Sequence, residues 1–86
     1  MRFEVRHVVW IDSIGKGGWG SIREFEEMKL DPITTVGFVA REDEESVLLV
    51  QSYSTRERPE EDNYDNGILI PKSAIQSQSV IAMVLA

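Results

Sequence analysis

The sequence predicts a mostly β protein: a small, strongly bent barrel of five short strands, with one short helix between strands 1 and 2. Three observations predict this fold. Five short segments are rich in apolar and β-branched residues, and several alternate with polar residues at a period of two. One further segment has helical spacing of its apolar residues. The chain has 86 residues, which predicts a single domain over residues 1–86.

A glycine-rich loop separates the first strand from the helix. The strand is predicted over residues 3–11, and its apolar face holds the odd-numbered side chains Phe3, Val5, His7, Val9 and Ile11. The loop contains four of the six glycines, and we expect Trp19 in it to anchor to the core. The helix is predicted over residues 21–30, because Ser21 and Glu24 match a capping box. Asp31 precedes a proline and therefore ends the helix.

Four more strands follow the helix. They are predicted over residues 33–42, 46–53, 67–71 and 75–85. The connections are an acidic turn at 43–45, a polar loop at 54–66 that closes with the turn signal Asp65-Asn66-Gly67, and a tight corner at Lys72-Ser73. These connections are too short for the crossovers that parallel strands need.

Composition narrows the classes of function. The formal net charge is −6, and residues 42–86 hold nine acidic but only three basic groups. The chain has no cysteine, which excludes disulfides and cysteine-ligated zinc. No apolar run approaches the ~20 residues that span a bilayer, and the charged N-terminus is unlike a signal peptide. We expect a soluble cytoplasmic protein, not an enzyme, with no membrane partner, no cofactor and no metal.

Two features suggest catalysis or nucleotide binding, and both have simpler explanations. The string from Gly15 to Gly20 spells G-x-G-x-x-G, with Glu42 about twenty residues further on, as in a dinucleotide fingerprint. That fingerprint belongs to a parallel sheet with several crossover helices, whereas only one helix is predicted here. A nucleotide-binding enzyme is therefore the weakest functional hypothesis. His7 is the only histidine, and we expect it to be packed rather than catalytic.

The C-terminus predicts self-association. All residues from Val80 to Ala86 are apolar. A terminal strand that is apolar on both faces cannot bury both of them in one small barrel, so one face or the free edge needs a partner. The sequence therefore predicts a homo-oligomer.

Two parts of the chain resemble the Sm/LSm and Hfq family of small β-barrels. The first motif of that family runs from a glycine to an aspartate six residues later and continues into alternating apolar residues. Its positions here are Gly37, Val39, Asp43, Leu48 and Val50. The second part, Lys72-Ser73-Ala74-Ile75, resembles the K-H-A-I string of Hfq. The whole chain, with its W-I-D-S and I-P-K-S-A-I segments, also resembles small uncharacterised proteins of tailed phages.

The resemblance implies an Sm-like (SH3-like) barrel that forms a homo-oligomeric ring, pentamer to heptamer, with a role in RNA or DNA processing. Single-stranded RNA or DNA would bind near the pore, and a phage-encoded chain would act in the host cell cytoplasm. The residues that the resemblance places at this site are Lys72, Ser73, Arg41, Asp43 and Ser46. The alternative is a structural or adaptor module that makes only protein contacts.

Two departures from the family concern the same site. The family usually has Met-Asn after the turn, where this chain has Ser46-Val47, and that asparagine helps to recognise a base. Ser73 replaces the histidine of Hfq. Together with the acidic residues of the 42–45 turn, these changes predict weak binding.

Overall fold

The computed structural model describes residues 2–54 and 63–85 as one five-stranded antiparallel sheet with a short helix. The elements are β1 (Arg2–Ile11), α1 (Ile22–Glu26), β2 (Pro32–Glu42), β3 (Ser46–Tyr53), β4 (Tyr64–Pro71), a 3₁₀ turn (Lys72–Ala74) and β5 (Ile75–Leu85). The strand order is β4-β3-β2-β1-β5, so the sheet is open and β4 and β5 are its edges. The prediction of a mostly β chain with five strands and one short helix is confirmed.

The predicted bounds are wrong at two elements. α1 ends at Glu26 rather than at residue 30, although the predicted capping box at its start is present. A helix this short gains little from propensity and depends on packing. The predicted turn at residues 65–67 belongs to β4, where Asn66 adopts a positive φ of 50° within the paired strand. The rest of the predicted polar loop, residues 55–62, lies outside the described residues.

The main core joins one half of β1 to β3 and β4. Its members are at most 8 % exposed: Val8, Trp10, Val47, Leu49 and Ile70. β1 and β4 are three places apart in the sheet, or about 14 Å along a flat one, so their side chains meet only because the sheet bends strongly. The indole nitrogen of Trp10 stays hydrogen-bonded, since Nε1 donates to Thr35 Oγ1 at 3.0 Å.

From Arg6 onward, the even-numbered side of β1 is more buried than the predicted apolar face, although Phe3 of that face is also buried. Arg6, Val8 and Trp10 are buried, whereas His7 and its apolar neighbours at positions 5 and 9 are half-buried. The core formed by β3 and β4 lies against the even-numbered side chains. Alternation could not reveal this, because the arginine on that side looked solvent-facing.

A second cluster, of aromatic rings, lies at the start of β1. Phe3 is 7 % exposed and stacks on Tyr53, with their ring centroids 4.0 Å apart. Phe38 meets both rings edge-on. This arrangement ties β1, β2 and β3 together at the end of the sheet away from the main core.

The connection between β1 and β2, residues 12–31, forms an arm that carries α1. No residue of α1 is buried. Trp19 is fully exposed, so the prediction that it anchors to the core is wrong. Within the described part of the chain, no helix is long and apolar enough to cross a membrane.

The molecule is extended for its size. Its radius of gyration is 16.9 Å and its extents are 54 × 28 × 20 Å. A compact chain of 86 residues has a radius of gyration of about 12 Å. The accessible surface is 6660 Å², against about 5,200 Å² for a typical folded monomer of 9.8 kDa.

Candidate nucleic-acid interface

The acidic turn and the corner before β5 are in contact at one end of the sheet. The backbone nitrogen of Lys72 donates to the carbonyl oxygen of Glu45 at 2.8 Å. Lys72 Nζ lies 3.1 Å from Glu42 Oε2, and Ser46 pairs with Pro71 across β3 and β4. We call residues 42–46 together with 71–74 the rim. The rim brings together four of the five residues singled out by the resemblance: Lys72, Ser73, Asp43 and Ser46.

Asp43 shapes the turn. Its Oδ1 accepts hydrogen bonds from the backbone N–H groups of Glu45 and Ser46, both at 2.8 Å, and from Ser46 Oγ at 3.3 Å. These hydrogen bonds favour the charged form and lower the pKa of Asp43, with the Glu45 N–H as the largest cause. Asp43 is thus a structural residue of the turn, since one carboxylate oxygen is committed to it.

The buried side chain of Arg6 stabilises the turn through an ion pair with Glu42. Arg6 is 8 % exposed and forms a bidentate ion pair with Glu42. Nη1 donates to Oε2 at 2.8 Å, and Nη2 donates to Oε1 at 3.1 Å. Arg6 also contacts Glu4 and donates to Gln78 Oε1 at 3.1 Å. The pKa of Glu42 is lowered, chiefly by the hydrogen bond from Arg6 and further by Lys72. This network joins β1, β2, β5 and the corner.

Sequence reasoning did not identify Arg6 and Glu42 as a pair. They are 36 residues apart, and no local spacing connects them. The one available signal was that Arg6 precedes Val8 and Trp10 on the same side of β1, which indicates a charge at the edge of an apolar surface that needs a partner.

Lys72 is the cation of the rim, and its charge is already engaged. Its side chain is 33 % exposed and pairs with Glu42, which is shared with Arg6. Ser73 is exposed at the corner. Arg41 is exposed on β2 just before the turn, and its charge adds a small part to the lowered pKa of Asp43. The structure shows no hydrogen bond from Arg41 to the rim within the described residues.

A shallow groove of about 610 Å³ runs along the rim. Its lining consists of Glu44, Glu45, Ser46, Leu69, Pro71, Lys72 and Ser73. Two exposed glutamates face a single lysine that is already paired, so the groove is negative overall. No aromatic side chain lines it, and a nucleobase would therefore rest on Leu69 and Pro71 rather than stack on a ring.

The glycine loop and His7, the other features that the sequence offered for catalysis or nucleotide binding, do not form a site in the described part of the chain. The glycine loop connects β1 and β2, which pair antiparallel, so it is not the strand–helix–strand turn of a dinucleotide fold. His7 is half-buried within β1. Across residues 2–54 and 63–85, no three His, Asp or Glu side chains are grouped so that they could hold a metal ion.

Comparison with known proteins found no matching family model, no matching curated protein and no matching solved structure.

Proposed function

We propose that the chain is an Sm-like subunit of a homo-oligomeric ring that binds single-stranded RNA or DNA weakly at the rim. The observation that carries the proposal is the contact between the 42–45 turn and the 71–74 corner. It gathers hydroxyl groups, a lysine and a rigid turn at one end of a bent sheet. In a ring, this group of residues would recur once per subunit around the pore.

The two edges of the sheet support assembly. Within the described residues, β4 pairs only with β3 and β5 pairs only with β1. Each of these edge strands has an exposed apolar portion, at Leu69 in β4 and at residues 80–83 in β5. Unlike edges can pair head to tail between copies, and such a contact generates a ring when the rotation closes.

The exposed area supports the same conclusion. The chain exposes roughly 1,500 Å² more than a typical monomer of its mass. A standard interface covers about 800 Å² on each partner. A subunit of a ring has two interfaces, so the excess area is about what two neighbours would cover.

The charges at the rim predict weak binding. Glu42 competes with any phosphate for Lys72, and the exposed Glu44 and Glu45 repel it. Few phosphates could be neutralised by each subunit, so we expect micromolar or weaker affinity and a shallow dependence on salt.

Fluorescence anisotropy with labelled poly-U and poly-A at low salt tests the binding. Lys72→Ala should weaken binding. Glu42→Gln should strengthen it several-fold by releasing Lys72, and the double variant should lose that gain. Glu44→Gln is the matched control, because it also removes one carboxylate charge from the rim but leaves the Lys72 ion pair with Glu42 intact. A gain from Glu44→Gln equal to that from Glu42→Gln would contradict the specific role of the pair.

A second candidate function is an adaptor that makes only protein contacts. The observation that favours it is the ion pair between Lys72 and Glu42, which leaves the described rim without an unpaired lysine in a groove that is already negative. The same titrations decide between the two functions. No binding to either oligonucleotide, or binding that is indifferent to Lys72, would favour the adaptor.

A further inference from the structure

Two apolar surfaces of the molecule have no partner within the described chain. The first is the arm, where the large exposed apolar side chains are Ile14 at 50 %, Trp19 at 102 %, Ile22 at 77 %, Phe25 at 41 % and Leu30 at 57 %. The second is residues 80–84 of β5, which we call the β5 tail. Its exposed side chains include Val80 at 51 %, Ile81 at 56 % and Met83 at 51 %.

The β5 tail is uncharged, and four of the eight charged side chains of the arm pair with one another. In the arm, Lys16 pairs with Glu24 at 2.6 Å, and Arg23 pairs with Glu27 at 3.2 Å. Covering the apolar side chains would therefore leave none of these four charges without a partner.

In this structure the two surfaces of one chain do not cover each other. The arm begins after Ile11, at the end of β1 that pairs with the start of β5. The β5 tail pairs with the opposite end of β1, where Ala82 faces Val5. β1 has 10 residues, so its ends are about 30 Å apart. The surfaces lie toward opposite ends of an extended molecule.

We infer that the arm of one copy packs on the β5 tail of a second copy. This inference rests on the proposed self-association but not on nucleic-acid binding. A buried tryptophan covers about 150–250 Å². Trp19 and its aliphatic neighbours thus supply much of the ~800 Å² that each partner contributes to a stable interface. The two surfaces are unlike, so the contact can repeat head to tail from copy to copy, as a ring requires.

The absence of cysteine from the chain allows a direct test by crosslinking. Gly17→Cys and Met83→Cys are made as separate proteins, mixed, allowed to exchange subunits and treated with an oxidant or a short bismaleimide. Gly17 lies two residues before Trp19 and has open space for a side chain, so the cysteine is placed in the arm while Trp19 is kept. We expect a covalent dimer that contains one copy of each variant. Ser77→Cys replaces Met83→Cys in the matched control, because it is an exposed position in the polar half of the same strand. This control mixture should give little product.

Other crosslinking results would overturn the inference. Efficient dimers of Gly17→Cys alone would indicate contact between two arms, and dimers of Met83→Cys alone would indicate contact between two β5 tails. Equal yields with Ser77→Cys and Met83→Cys would indicate random collision.

A variant without cysteine provides an independent readout. Trp19 is fully exposed in the subunit, so Trp19→Ser should leave the unfolding of the isolated subunit unchanged. It should weaken association about tenfold or more, as loss of a central tryptophan does at interfaces. Unchanged association of Trp19→Ser would contradict the inference.

These outcomes separate the inference from the proposed function. A wild-type protein that assembles, while Gly17→Cys and Met83→Cys give no crosslinked product, overturns the inference alone. A wild-type monomer overturns both the ring and the inference. Crosslinking without any oligonucleotide binding overturns only the proposed nucleic-acid site.

Discussion

The bent middle of the sheet contains the same kinds of apolar residue as the arm and the β5 tail, but the residues differ in burial. Ile70 and Leu49 in the middle are at most 1 % exposed, whereas Ile22 in the arm and Ile81 in the β5 tail are more than half exposed. Side-chain chemistry does not explain this difference. The bend brings β1, β3 and β4 over one another, while nothing in the described chain covers the arm or the tail. One copy of the chain therefore buries the apolar side chains of the bent middle and leaves those of the arm and the β5 tail exposed.

The largest expected loss in the free energy of unfolding comes from shortening a buried side chain in the bent middle of the sheet. Ile70→Ala should lower the free energy of unfolding by about 2–5 kcal/mol, because it opens a cavity at a fully buried position. Leu69→Ala is the matched control on the adjacent residue, which is 53 % exposed. The control should cost less than about 1 kcal/mol in the subunit. Urea unfolding measures both values, and equal costs would contradict the distinction between the two regions.

A smaller loss in the free energy of unfolding should appear at acidic pH, where the ion pairs of the rim weaken but the packing of the apolar core does not. The pKa of Glu42 is lowered in the folded state by Arg6 and then Lys72. Glu42 therefore stabilises the fold above the ordinary pKa of a glutamate, and this contribution is lost as the pH falls through the lowered value. The pKa of Asp43 is lowered as well, so its contribution changes in the same direction.

Urea unfolding at pH 7 and pH 3 measures this effect. Wild-type protein should lose more stability on acidification than Glu42→Gln does. Glu26→Gln, an exposed glutamate of α1, should lose as much as wild type. Identical losses in wild type and Glu42→Gln would contradict the stabilising role of the ion network.

Local patterns predicted the strands well. β3 has the predicted bounds, β5 ends where predicted, and the capping box of Ser21 and Glu24 is present. Each of these features depends on neighbouring residues, through alternation, turn chemistry or a cap. The contact between the turn and the corner also agrees with the expectation, because both flank strands that pair with each other.

Long-range packing decided the features that local patterns missed. Trp19 was expected in the core because tryptophan is usually covered, yet the arm meets no other part of the described chain that could cover it. The buried side of β1 depends on β3 and β4, which come more than thirty residues later in the sequence. Lys72 pairs with Glu42, which Arg6 also binds from β1, so the charge of the candidate site could not be predicted from the composition of the rim.

The central claim is that one copy of the chain leaves surfaces for other copies to cover. Light scattering after size-exclusion chromatography at micromolar concentration tests it most directly. The account predicts a single species with the mass of a pentamer to heptamer of the 9.8 kDa subunit. It also predicts that Trp19→Ser shifts that species toward smaller masses. A wild-type protein that elutes with the 9.8 kDa mass of one subunit would contradict the account.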